Sequence, residues 1–308
     1  MEFQWPEHFQ PSVVRSGFGA GTVSTHTLAL EAWRRGLKVT FLAPSGKELE
    51  VSDGSRTVRF DRSRAASEIS EEAYSIVESK YDTTAALRAA GVPVPEAFAL
   101  AASETTFEEV RAHAESLGYP VVLKPMRGSR GRGVFANIQS VEQLPEYYTY
   151  LVDDLGSEHI VLERHHFGGD YRAFVVGDRF IAACQRIPAR VSGDGTHTVG
   201  ELIDQKNRLR RQNPFLSGGL IAKDYEVRSM VAQQGLTMDS VPLRDADVQL
   251  RQKANASAGG DVVDVTDAFP EHMQAAAVSA VSAIPGLPAA GVDILWDPDN
   301  AGVGRPSS

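Results

Sequence analysis

The stretch VVLKPMRGSRGRGV, residues 121–134, sets an apolar run and one lysine before a loop of glycines and arginines. Val121, Val122 and Leu123 read as a buried strand ending at Lys124. Glycines in the loop remove the Cβ atoms that keep a ligand away from backbone N–H groups. Arg127, Arg130 and Arg132 add charge to the same place, a combination suited to a polyphosphate. An exposed hairpin turn with solvated arginines accounts for the loop alone equally well.

The rest of the composition narrows the ligand. A net charge of −9 argues against a broad nucleic-acid surface or an anionic-membrane surface, so the loop is expected to serve something small. With 308 residues, 42% of them hydrophobic, the chain can bury two or more packed units. No apolar run reaches the roughly 20 residues that span a bilayer. Cys184 is the single cysteine and lies in the apolar run RFIAAC, which reads as an inert buried thiol. The start MEFQWPEHFQ lacks the basic and apolar regions of a secretory signal, so a cytoplasmic protein is expected.

Working outward from the loop, SVVRSGFGAG followed by STHTLALEAWRRG predicts a strand, a glycine turn and a helix. LKVTFLA predicts a second strand, and ELEVSDGSRTVRF a hairpin around Asp53-Gly54. The Gly17–Gly21 run resembles a dinucleotide fingerprint only loosely, because no acidic residue ends the next strand; a turn facing a substrate is the preferred reading. Thr105 with Glu108 predicts a capping box for a helix ending at Gly118, and Thr198 with Glu201 another for TVGELIDQKNRL. YRAFVV and RFIAAC pair around Gly177-Asp178, and a helix through PEHMQAAAVSAVSAI precedes the strand GVDILW. The basic run KNRLRRQNPF, residues 206–215, reads equally as a solvated helix face or a lid over an anionic substrate.

Lys80, Lys124, the loop from Gly128 to Gly133, Glu163, Asp170, Arg186, Arg251, Asn255 and Asp293 follow one another in an order that resembles the ATP-grasp superfamily. The block that runs from residues 159–203 to residues 255–267 looks most like the ATP-grasp part of cyanophycin synthetases, with related ligase domains in bifunctional glutathione-forming enzymes. The resemblance covers roughly residues 75–297, and several motifs in order are more specific than any one. It implies an α+β ATP-grasp fold of two subdomains, 79–160 and 161–308, and the strand, turn and helix pattern before it reads as a small Rossmann-like α/β domain over 1–78.

Carried over residue by residue, the resemblance implies ATP and magnesium as cofactors. Lys80 and Lys124 are then expected on the phosphates, with Gly128, Ser129, Gly131 and Gly133 in the covering loop. Glu163 is expected at the adenine hinge and Asp170 on the ribose hydroxyls. Arg251 is the candidate cationic clamp, Asn255 with Gly259-Gly260 the candidate support of an acyl phosphate, and Arg186 a holder of a carboxylate or phosphate, with a structural salt bridge as its equal alternative. Asp293 matches the first magnesium carboxylate. The family pattern continues with Glu-x-Asn, whereas this chain reads WDPDNAGVGRPSS; a truncated or frameshifted ligase is the expectation, with a non-catalytic nucleotide binder as the second reading. The implied reaction joins a small amino-acid or peptide carboxylate to an amine, without nucleic acid or membrane, and a homo-oligomer is compatible with it. A redox enzyme using the glycine turn near residue 19 is a third reading.

Overall fold

In the computed structural model, which describes residues 4–19, 22–127 and 133–297, the segment expected as the first strand is helical. Helix α1 (Pro11–Gly19) is followed by α2 (Val23–Arg34). Pro11 stands at the first helical position, where its missing N–H leaves no bond unmade, and Val14 packs with Ala29, Ala32 and Trp33. The substrate-facing turn is corrected at Gly17, where a Cβ would fall 2.0 Å from the His26 ring. Its lack of a side chain admits a neighbouring histidine. Ala20 and Gly21 lie outside the described residues.

Strands β1 (Lys38–Phe41), β2 (Glu48–Ser52) and β3 (Thr57–Asp61) form an antiparallel sheet in that order. The Asp53-Gly54 turn is as expected, with Gly54 at φ +95°. The Rossmann-like expectation is not met: parallel pairing needs a crossover of a dozen or more residues, and these short connections impose hairpins. The chain divides into two units, Met1–Ile69 with Ala183–Thr266, and Ser70–Ala182 with Asp267–Ser308.

The second unit opens with α3 (Glu71–Glu78) and α4 (Lys80–Ala89), joined at Ser79, whose hydroxyl caps α4 through the Asp82 N–H. Next come β4 (Ala97–Ala101), α5 (Phe107–Leu117), β5 (Val121–Pro125) and β6 (Phe135–Ile138). A 3-10 turn leads into α6 (Leu144–Thr149), a π-helical turn at Tyr150–Asp154 and β7 (His159–Arg164). The sheet order is β4-β7-β5-β6. Val110, Ala114 and Leu117 of α5 cover it together with Leu144 and Leu151. The capping box of α5 falls one residue later than expected, at Thr106 and Glu109, because the Thr105 N–H is already bonded to Ala101 O in the preceding turn.

The chain continues through β8 (Gly169–Val176) and β9 (Arg179–Ile187), which turn at Gly177 as expected. In the first unit follow β10 (Arg190–Ser192), α7 (Val199–Gln212), α8 (Tyr225–Gln233), β11 (Asp247–Gln249) and β12 (Asp261–Asp264). Val191, Ile203, Val227, Val231 and Leu250 form their core. The Thr198–Glu201 box is present as read from the sequence. Back in the second unit, α9 (Glu271–Ser282) precedes β13 (Ala289–Trp296), which pairs antiparallel with β8. Among the described residues no helix is long and apolar enough to cross a membrane.

Candidate functional site

Lys80 is the first residue of α4, and the Ser79 cap fixes the direction in which its side chain leaves the helix. Its ammonium donates to Pro125 O at 3.3 Å and Met126 O at 3.4 Å, at the end of β5. Lys124, one residue earlier, donates to the Glu163 carboxylate on β7 at 2.6 Å, and both side chains are largely buried. Burial pushes the Lys80 ammonium below the usual lysine range; the like charge of Lys124 adds to this and Glu163 opposes it. Two like charges are thus close enough to repel in a partly dry place, where the Glu163 carboxylate is bonded to Lys124. A polyphosphate suits such a place, because its negative charge favours the charged form of both ammonium groups against burial and mutual repulsion.

The loop that follows is described only at its ends. Gly128, Ser129 and Gly131 lie outside the described residues, and Gly133 marks the exit at φ +69°. A Cβ on Gly133 would come within 2.8 Å of Leu155 and 2.9 Å of Leu151, so the chain leaves the loop pressed against the π-helical turn. Such turns recur at functional sites.

Asp170 and Asp293 belong to the β8–β13 pair, where exposure alternates strictly over Arg172, Phe174 and Val176, and over Gly291, Asp293 and Leu295. Ala173 and Val175 face inward and are fully buried, leaving the other face open. Asp170 lies opposite Leu295, and Arg172 directly opposite Asp293. The Arg172 guanidinium holds Asp293 with two parallel bonds, Nε to Oδ1 at 2.8 Å and Nη2 to Oδ2 at 2.9 Å. Magnesium accepts one or two protein carboxylates together with phosphate oxygens, and a carboxylate keeps lone pairs beyond the two that Arg172 uses. Asp293 therefore fits the ion, in the company of a resident cation. Among the described residues no group of three or more His, Cys, Asp or Glu is gathered to hold a metal without phosphate.

Arg186, Arg251 and Asn255 lie in the first unit. Arg186 sits on β9 opposite Val262 of β12. Arg251 is buried and ion-paired with Asp224 at 2.5 Å and with Glu226. Burial pushes the Asp224 carboxyl up, but the Val227 N–H it caps and the Arg251 bond outweigh that and leave it below the usual range. Asn255 opens a short 3-10 turn, and its carbonyl accepts the Ala258 and Gly260 N–H groups.

The residues that hold this turn entered the sequence reading only as part of the basic run 206–215, as a solvated face or a lid and not as its anchors. Arg210 of α7 donates to Gly219 O, Gly260 O and Ala256 O at 2.8–3.0 Å and reaches Asp261. Burial pulls its guanidinium below the ordinary arginine value, and Asp261 opposes that. Asn207 clamps Ile221 through both its N–H and its carbonyl, and Lys206 bonds Arg190 O and Asp261. The basic run from 206 is thus corrected: these three point inward, while Arg208, Leu209 and Arg211 are exposed. Ile203, Asn207 and Arg210 fall at i, i+4 and i+7, a periodic signal that was present in the sequence.

Residues 77–195 match the RimK-like ATP-grasp domain. A cyanophycin synthetase of Crocosphaera subtropica is 35% identical over 220 residues, covering 70% of this chain and 24% of that protein. The glutathione biosynthesis bifunctional protein GshAB of Mannheimia succiniciproducens is 30% identical over 290 residues, covering 93% of this chain and 38% of its own length. The crystal structure of a bifunctional glutathione synthetase from Pasteurella multocida superposes with a TM-score of 0.66 at 29% identity, over 93% of this chain and 38% of that one. The chain therefore spans between about a quarter and two fifths of the relatives it matches. With the family match falling on the segment that carries Lys80, Lys124 and Glu163, residues 77–195 of this chain are a RimK-like ATP-grasp domain.

Proposed function

We propose that this chain is the ATP-grasp part of an ADP-forming ligase that joins the carboxylate of an amino acid or peptide to an amine in the cytoplasm. The observation that carries the reading is that Lys80 bonds the Pro125 and Met126 carbonyls directly beside Lys124, itself paired with Glu163. In this reading residues 1–78 precede an ATP-grasp region with subdomains 79–160 and 161–308. Lys80 and Lys124 bind the ATP phosphates, the loop from Gly128 to Gly133 covers them, Glu163 lines the adenine hinge, and Asp170 accepts the ribose hydroxyls. The substrate carboxylate attacks the γ-phosphorus, and the bond to the ADP oxygen breaks. The amine then attacks the acyl carbon, forming the amide and expelling phosphate, with its proton passing to solvent. Fixed cations stabilise the charge that builds on the transferring group, which is the part assigned to Arg251 and Arg186. Asn255 orients the acyl group. Magnesium, held by Asp293, would supply charge neutralisation on the phosphates.

A second reading, a nucleotide binder without turnover, draws on the bidentate hold of Arg172 on Asp293. One experiment separates the two. The protein is incubated with magnesium-ATP, hydroxylamine and a panel of amino acids and dipeptides, and hydroxamate and ADP are measured. Hydroxamate formation with one acid supports the ligase. ATP binding with neither hydroxamate nor ADP across the panel supports the binder.

A further inference from the structure

We infer that Arg172 is the built-in counter-cation of Asp293 and that it competes with the metal for that carboxylate. The inference rests on the proposed ligase reading, in which Asp293 faces magnesium. Three observations point to a prepared seat. The two residues are directly opposed in the β8–β13 register, so the backbone sets their approach. The guanidinium uses its Nε–Nη2 edge to engage both carboxylate oxygens, the planar fork that lysine lacks. Gly291, on the same face two residues before Asp293, leaves the stem its passage: a Cβ there would lie 3.2 Å from Arg172 Cδ and 3.4 Å from Nε.

The energetics favour exchange over permanent closure. The side chains are 49% and 54% exposed, and a pair so open to water contributes little to stability. A divalent cation approaching Asp293 meets a fixed positive charge unless the guanidinium turns away. Metal alone must therefore displace Arg172 without offering it another anion. Metal arriving with a polyphosphate brings that anion, so the pair makes Asp293 selective for the metal–polyphosphate complex over the free ion.

Terbium(III), a hard oxygen-seeking cation, provides the readout without nucleotide or turnover. Trp296 and Tyr171 lie on the same two strands with ring centroids 5.7 Å apart and can sensitise its emission. Arg172→Met is expected to tighten terbium binding roughly three- to five-fold over the unaltered protein, the order of an exposed ion pair. Arg172→Lys, which keeps the charge and loses the fork, is expected to give a smaller gain and serves if the methionine variant does not fold. The gain should vanish in Arg172→Met/Asp293→Asn. Unchanged or weaker binding in both single variants, or a gain that survives loss of Asp293, would overturn the inference. ATP titration of the unaltered protein tests the ligase reading separately: no ATP binding overturns that reading, and the terbium comparison still decides this one.

Discussion

Lys124 and Glu163 close a 2.6 Å ion pair across β5 and β7, although 39 residues separate them in sequence. The pair ties a phosphate-binding candidate to an adenine-hinge candidate on adjacent strands. Removal of one partner leaves a largely buried charge uncompensated, which costs about 1–3 kcal/mol. Lys124→Met is expected to lose that much stability in urea unfolding and at least about ten-fold in ATP affinity by calorimetry. Lys124→Met/Glu163→Gln is expected to regain stability while staying weak for ATP. Full ATP affinity in the single variant would remove Lys124 from the phosphate site.

Lys80 predicts a pH dependence. Its folded pKa lies below the unfolded value, so the charged form is penalised at neutral pH and stability rises as pH climbs from the folded pKa toward the unfolded one. A bound polyphosphate reverses the preference by stabilising the ammonium. Tripolyphosphate affinity is therefore expected to fall as pH rises through the depressed Lys80 pKa, at a lower pH than an ordinary lysine gives. Lys80→Met should remove that inflection; its persistence would assign the titration to another group.

Asp170 lies on the open face of β8, two residues before Arg172. If it accepts ribose hydroxyls, Asp170→Ala should weaken ATP by about ten-fold or more, the worth of hydrogen bonds to a charged group. Tripolyphosphate binding should be unchanged. Equal losses for both ligands, measured in the same buffer, would contradict the ribose assignment.

Arg210 anchors three backbone carbonyls and Asp261 from a buried position. Arg210→Met strands these acceptors and is expected to cost about 3 kcal/mol or more in denaturant unfolding. Gly219→Ala should destabilise independently, because the new methyl would fall 2.2 Å from Ala256 O and force the two segments apart. An unaltered unfolding midpoint for either variant would show that the clamp is dispensable.

Much of the fold was legible because its signals are local. The Thr198–Glu201 cap, the Asp53-Gly54 and Gly177-Asp178 turns and the buried strand before the loop each rest on a few adjacent residues. The α5 cap slipped by one position because two Thr/Glu pairs of equal spacing stand side by side, and only the Thr105 N–H bond to Ala101 O distinguishes them. The first helix was misread because Val13-Val14 suits a strand until the packing of Val14 on α2 is known. Among the candidate residues, Lys80, Lys124, Glu163, Asp170 and Asp293 were legible only as an order along the chain. Two pairings were not. Arg172 meets Asp293 across 121 residues, and Arg251 meets Asp224 across 27, and neither contact leaves a trace in local periodicity.

The bonds that Arg210 and Asn207 make have a consequence for variation. All but one of their partners are main-chain atoms, at Gly219, Ile221, Ala256 and Gly260. A clamp that grips the backbone is indifferent to side chains that point away from it, although Gly219 and Gly260 have no room for one. Positions such as Ser257 can change identity while the path of the chain around them stays fixed. Helix α7 thus fixes the course of this segment through its main chain, and leaves the outward side chains free to vary without a new scaffold.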